Sequence, residues 1–185
     1  MRVLAISGSL RRGSHNTRLL RVAAGLAPPG VELRLFAGLK DVPPYDEDDD
    51  GEPAPDGARR LREAIADADA ILIATPEYNS SIPGQLKNAI DWASRPFPDN
   101  VLRGKPVAVI GASTGVFGAV WAQAEVRKSV RHAGAHVLDE ELPVGGAGEA
   151  FDARGRLRDP ELRERLAGIV RGLVREAAAP VEVAA

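Results

Sequence analysis

"AILIATPEYNSSIPGQLKNAIDW", residues 70–92, sets an apolar run against a polar turn and then a helical pattern. Ala70-Ile71-Leu72-Ile73-Ala74-Thr75 predicts a strand buried on both faces, which belongs in the middle of a parallel sheet. Leu86, Ala89, Ile90 and Ala93 recur at helical spacing and predict a helix with its inner stripe on that sheet. Between them stand an acid, an aromatic, an amide, serines, two prolines and a glycine. A plain strand-to-helix connection needs none of those polar side chains. Pro76 and Pro83 stiffen the turn and Gly84 admits close backbone approach. Asn79 both donates and accepts, and Tyr78 offers a ring face. Such a turn suits one wall of a slot for a flat ligand with a polar rim.

The same alternation extends in both directions. Residues 2–7 read as a buried strand, followed by a helix from about Asn16 with Leu19, Leu20, Val22, Ala23 and Leu26 inward. Val31, Leu33 and Leu35 alternate with charges, as on a strand nearer a sheet edge. A proline-rich acidic loop spans about 38–57, and Leu61, Ile65 and Ala68 mark a second helix. Downstream come a strand at 106–110, a helix from Gly118 to about His132 and a short strand around His136-Val137-Leu138. A last helix opens at Asp159-Pro160, an N-cap with proline behind it. Parallel strands require crossovers, so the pattern predicts one α/β domain over 1–185 with helices on both faces of the sheet. The tail after about 178 is expected to be disordered. Ligands of such sheets sit at the carboxyl ends of the strands, which selects the turns 8–16, 76–84 and 111–118.

Composition narrows the function. The chain has 185 residues, 44% hydrophobic and 27% charged, with net charge −2 and no cysteine. Disulfide, iron–sulfur and thiol chemistry are excluded. Arginine outnumbers lysine but acids offset it, so no nucleic-acid face is expected. No signal peptide or membrane span is legible at the N-terminus, and a cytoplasmic location is the expectation. The run Asp46-Glu47-Asp48-Asp49-Asp50 lacks ligand spacing and reads as a solvated loop rather than a metal site. His132 and His136 have no partner at zinc spacing.

"SGSLRRGSHNT" (7–17) joins the first strand to the first helix. Gly8 and Gly13 let backbone fold closely around a ligand, and Ser9, Ser14, Asn16 and Thr17 supply polar groups. Free N–H groups at the helix start favour phosphate, with Arg11 or Arg12 adding charge. The spacing matches neither G-x-G-x-x-G nor G-x-x-x-x-G-K-[ST]. A glycine-serine turn with an N-cap is the plainer alternative; its position at the end of the first strand favours phosphate.

With "GSLRRGSHN" (8–16), "PEYNSSIPGQLKNAIDW" (76–92), "ASTGVFG" (112–118) and "FDARGRLRDPEL" (151–162), the chain resembles the NADPH-dependent FMN reductases. That flavodoxin-like family includes quinone, chromate and azo-dye reductases. The resemblance implies a three-layer fold with a five-stranded parallel sheet of order 2-1-3-4-5 and non-covalent FMN. It implies that Ser9, Arg11, Ser14, Asn16 and Thr17 surround the FMN phosphate. Pro76, Glu77, Tyr78 and Asn79 would line the isoalloxazine and ribityl side, with Ser113, Thr114 and Gly115 at the pyrimidine end. A homodimer or homotetramer is likewise implied. The chain departs from its relatives at Trp121, where arginine is frequent; a core or interface role for this tryptophan is expected ahead of one in the substrate pocket.

The mechanism expected is ping-pong transfer from NADPH or NADH to FMN and on to a small acceptor such as a quinone. The cofactor carries the chemistry, so no catalytic side chain is expected. Backbone N–H groups of Ser113–Gly115 are expected to tune the ring. The alternatives are a flavodoxin-like electron carrier, a reductase supplying reduced FMN to a monooxygenase, and a flavin-free scaffold.

Overall fold

The computed structural model describes residues 1–51 and 53–179. Strands β1 (Arg2–Ser7), β2 (Glu32–Leu35), β3 (Ala70–Thr75), β4 (Pro106–Ala112) and β5 (His136–Val144) form one parallel sheet in the order β2-β1-β3-β4-β5. Between and after them run α1 (His15–Gly25), α2 (Asp56–Ala66), α3 (Gly84–Ala93), α4 (Val120–His132) and α5 (Pro160–Ala178). This is the flavodoxin-like architecture. The chain leaves β1 outward to β2 and then crosses back to β3, so the switch in strand order lies between β1 and β3.

Period-two alternation sends the strand side chains into two cores. Leu4, Ile6, Ile71, Ile73, Val107 and Val109 meet α2, α3 and α4 on one face. Val3, Ala5, Leu72, Ala108 and Ile110 meet α1 and α5 on the other. Every residue of β3 is buried, as its unbroken apolar run requires. Each large side chain in these layers contributes about 1.5–3 kcal/mol by leaving water.

The helices start where the sequence supplies caps. Ser14 Oγ accepts from Thr17 N at 3.1 Å to open α1, and Asp159 accepts from Glu161 N at 2.8 Å to open α5. On α3, Gln85, Asn88 and Trp92 share a face and grip the proline-rich loop. Gln85 donates to the carbonyls of Leu39 and Val42, and Asn88 accepts from Tyr45 N and donates to Pro43 O. Trp92 is fully buried and its Nε1–H donates to the same Pro43 oxygen at 2.8 Å. Part of the polar content of the 76–92 motif is therefore scaffold.

Several boundaries differ from expectation. The acidic loop contains two short 3-10 turns, Leu39–Asp41 and Glu47–Asp49, and Asp50 pairs with Arg62 at 2.6 Å. Strand β5 continues through Asp139, Glu140 and Glu141 to Val144 rather than ending near Leu138. A register shift opposite Val107 and Val109 lets that charged stretch pass before Leu142 and Val144 return to the core. Val22 and Leu26 are only half-buried. The expected tail disorder falls mostly on residues outside those described. No described helix is long and apolar enough to cross a membrane.

Candidate functional site

The three turns selected from sequence meet at the carboxyl ends of β1, β3 and β4, and side-chain contacts lock them together. A Cβ on Gly8 would stand 3.3 Å from Pro76 Cδ and 2.7 Å from Leu86 Cδ2, so the first turn lies directly against the second. Asn16, 2% exposed, donates to Ala112 O and accepts from Ala112 N, both at 2.9 Å, which clasps the first turn to the third. Glu77 Oε2 accepts from the backbone N–H groups of Trp121 and Ala122 at 3.1 Å each. Chain entry to α4 passes through Gly118 and Ala119, both at positive φ, and no local side chain caps this helix. Glu77 from the second turn caps it instead, with the carboxylate at the positive end of the dipole.

In the first turn, Ser7 Oγ and Thr17 Oγ1 share a hydrogen bond of 2.8 Å beneath the loop. Gly8, Ser14 and Thr17 direct their N–H groups at protein acceptors. The N–H groups of Ser9, Leu10, Arg11, Arg12, Gly13, His15 and Asn16 have no acceptor among the described residues. They stand at the opening of α1, where the helix dipole adds to them, as an anion site requires. Arg11 is exposed and has no carboxylate partner among the described residues. His15 stacks on Phe151 at 6.2 Å and 8°, with Nδ1 buried and unpartnered. Burial first, then the charges of Arg11 and Arg18, lower its pKa from the ordinary histidine value.

In the second turn, Pro76 is buried while Tyr78 and Asn79 face outward. Tyr78 and Ser81 exchange backbone hydrogen bonds around Asn79 and Ser80, whose φ angles are 52° and 58°. This is a tight primed turn, and asparagine tolerates its left-handed position. In the third turn, Ser113 N–H donates to Val144 O and Gly115 N–H to Ser113 Oγ. Of the three N–H groups expected to meet a ring edge, only that of Thr114 lacks an acceptor among the described residues. The expectation narrows to one donor because the turn uses the other two to hold its shape.

The candidate residues thus divide by use. Ser14, Asn16, Thr17, Pro76, Glu77 and Ser113 hold the three turns in place. Ser9, Arg11, Tyr78, Asn79, Thr114 and Gly115 are presented outward from them. A fourth segment, outside the three turns, also supports the site. Ala147 N–H donates to Ser113 O and Gly146 N–H to Gly115 O, so residues 144–147 brace the third turn from below. The Leu142-Pro143-Val144-Gly145-Gly146 pattern carried that signal, apolar chain running into a double glycine. Trp121 is not a core residue: it is 47% exposed and meets Phe117 edge-on at 5.0 Å. A groove of about 600 Å³ between α3 and α4 shares no lining residue with these turns.

The donor set fits a mononucleotide. A nest of unpaired N–H groups at a helix start is the donor arrangement a phosphate requires, and two further turns present outward groups beside it.

A model of the NADPH-dependent FMN reductases matches residues 1–149. The chain belongs to the NADPH-dependent FMN reductase family. An NAD(P)H-dependent FMN reductase from Pseudomonas aeruginosa is 48% identical over 165 residues, 89% of this chain and 88% of that one. A quinone reductase from Pseudomonas putida is 40% identical over 85% of this chain and 84% of its own length. Among solved structures, the flavoenzyme FerB, an NAD(P)H:(acceptor) oxidoreductase from Paracoccus denitrificans, superposes with a TM-score of 0.85 at 40% identity. That match covers 95% of this chain and 96% of FerB. In this family member, the Asn16 and Glu77 contacts tie the three turns into one rigid site.

Proposed function

We propose that this protein is an FMN-dependent NAD(P)H oxidoreductase that reduces a small quinone-like acceptor. The observation that carries this is the nest of free N–H groups at Ser9–Gly13 and the start of α1, joined by Asn16 to the turn at 112–115. FMN, when bound, supplies the two-electron redox chemistry between NAD(P)H and the acceptor. The chain's own residues bind and orient. The loop N–H groups and the α1 dipole hold the phosphate dianion, the dipole contributing up to about 2 kcal/mol where the site is partly buried. Arg11 adds a charge-assisted contact. Ser14 and Thr17 keep the loop closed over the Ser7 hydroxyl.

Pro76, Glu77, Tyr78 and Asn79 form the wall beside the ribityl chain and ring, held by the Glu77 cap on α4. Ser113, Thr114 and Gly115 form the opposite edge, where the Thr114 N–H is the donor available to a ring oxygen. The relatives named as quinone reductases support a quinone-like acceptor. The exposed Val116, Phe117 and Trp121 beside the site support assembly as a homodimer or homotetramer. A cysteine-free chain suits the reducing cytoplasm.

The decisive experiment records the flavin spectrum of the purified protein, adds NADPH and then NADH without oxygen, and offers a panel of acceptors. Bleaching by the nicotinamide and recovery with a quinone are expected. No flavin absorption, and no bleaching after FMN is supplied, overturns the proposal.

A further inference from the structure

Arg18, Arg21, Arg154, Arg156 and Arg163 line one groove of about 630 Å³ between α1 and the turn that leads into α5. Among the described residues, no acidic side chain lines it. Arg156 is held by Asp152 at 2.8 Å, and the Arg18 guanidinium lies 5.3 Å over the Phe151 ring. Arg21, Arg154 and Arg163 have no carboxylate partner among the described residues.

The whole chain carries 24 basic against 26 acidic side chains, so this groove inverts the sign of its surroundings. Sequence could not announce it, because the cations come from two segments more than a hundred residues apart and acids intervene along the chain. With Arg156 neutralised by Asp152, the four other guanidinium groups on this concavity, which have no carboxylate partner among the described residues, repel one another unless an anion joins them. Guanidinium is the side chain best matched to phosphate, through paired N–H donors. The groove also has an apolar side, Val22 and Leu26, both half-buried. Charged donors around an apolar floor suit a sugar phosphate with a base attached. Its upper end meets the phosphate turn, because Phe151 is stacked between Arg18 and His15.

We propose that this groove binds a phosphorylated adenosine through Arg21, Arg154 and Arg163. Two sources share that chemistry, the 2′-phosphate end of NADPH and a free adenine nucleotide. Only the first rests on the function proposed above.

The test titrates adenosine 2′,5′-bisphosphate, 5′-AMP and unphosphorylated adenosine into protein saturated with FMN, which keeps the probe out of the flavin phosphate site. The bisphosphate is expected to bind and adenosine is not. R21E/R163E is expected to weaken bisphosphate binding at least tenfold while FMN content and melting temperature stay unchanged. R21A/R163A should give a smaller loss, and serves if the charge reversal fails to fold. A rise in KM for NADPH with KM for NADH unchanged identifies the dinucleotide as the source. Lost bisphosphate binding with both KM values unchanged identifies a free nucleotide. Bisphosphate binding that is absent in the wild type, or equal in wild type and both variants, overturns the proposal. A protein that binds the bisphosphate but oxidises neither nicotinamide refutes the oxidoreductase reading and leaves the groove standing.

Discussion

Asn16 holds the backbone of Ala112 by two hydrogen bonds of 2.9 Å across 96 residues of sequence, one donated and one accepted by the same amide. Only an amide side chain offers both in that geometry. In N16A both Ala112 groups lose their partner in a buried setting, a cost of about 1–3 kcal/mol for each unsatisfied group. N16D keeps the acceptor but sets a carboxylate oxygen against the Ala112 carbonyl. Both variants should unfold at lower urea, and FMN affinity should fall at least tenfold as the first and third turns separate. Unchanged urea midpoints would refute the clasp.

Glu77 works as a helix cap delivered from another turn. E77A leaves the N–H groups of Trp121 and Ala122 open and should cost about 1 kcal/mol, the usual loss for a cap. In a chain of this size that lowers the melting temperature by about 2–4 °C. E77Q retains an oxygen acceptor and should recover most of the loss. Equal melting of E77A and wild type would show that the cap carries no weight.

Glycines near the site should differ sharply in tolerance. Gly118 has φ of +60°, and an added Cβ would meet the Pro143 carbonyl carbon and Val144 nitrogen at 2.5 Å, both backbone atoms. G118A should therefore fail to accumulate as folded protein. Gly13 has ordinary φ, and its Cβ would meet only the mobile end of Arg11 at 3.4 Å. G13A should fold normally by circular dichroism, with a melting temperature close to wild type. Comparable soluble yields for the two variants would contradict this.

His15 should tie stability to pH. Burial, Arg11 and Arg18 lower its pKa in the folded protein below 6.5. In the window from 6.5 down to the folded value, the unfolded chain binds a proton that the folded chain refuses. Stability therefore falls as pH drops through that window. H15N should flatten this slope in urea denaturation at stepped pH. In NMR titrations of the imidazole, FMN should raise the His15 pKa, since the phosphate offsets the two arginines. A downward shift on FMN addition would count against a phosphate at this turn.

The 70–92 stretch was enough to place a central strand of a parallel sheet and the helix after it, because parallel strands buried on both faces are apolar throughout and their helices carry a single inner stripe, whereas the strand order came from the family resemblance. The same locality explains why β5 reads as ending near Leu138. Asp139, Glu140 and Glu141 break the apolar pattern of β5, and only pairing with β4 carries the strand past them. Side-chain use at the site followed the opposite rule. Glu77 reads as a ligand-wall residue but binds a helix 44 residues later, and Asn16 reads as a phosphate donor but holds Ala112. Sequence by itself determined the order of elements, the three turns and the family, since these follow from periodicity and short motifs. Tertiary structure alone decided which polar groups hold the turns and which stay free for a ligand. A hydrogen bond is satisfied by whatever donor or acceptor the fold brings within 3 Å, and chain distance leaves no trace of that choice.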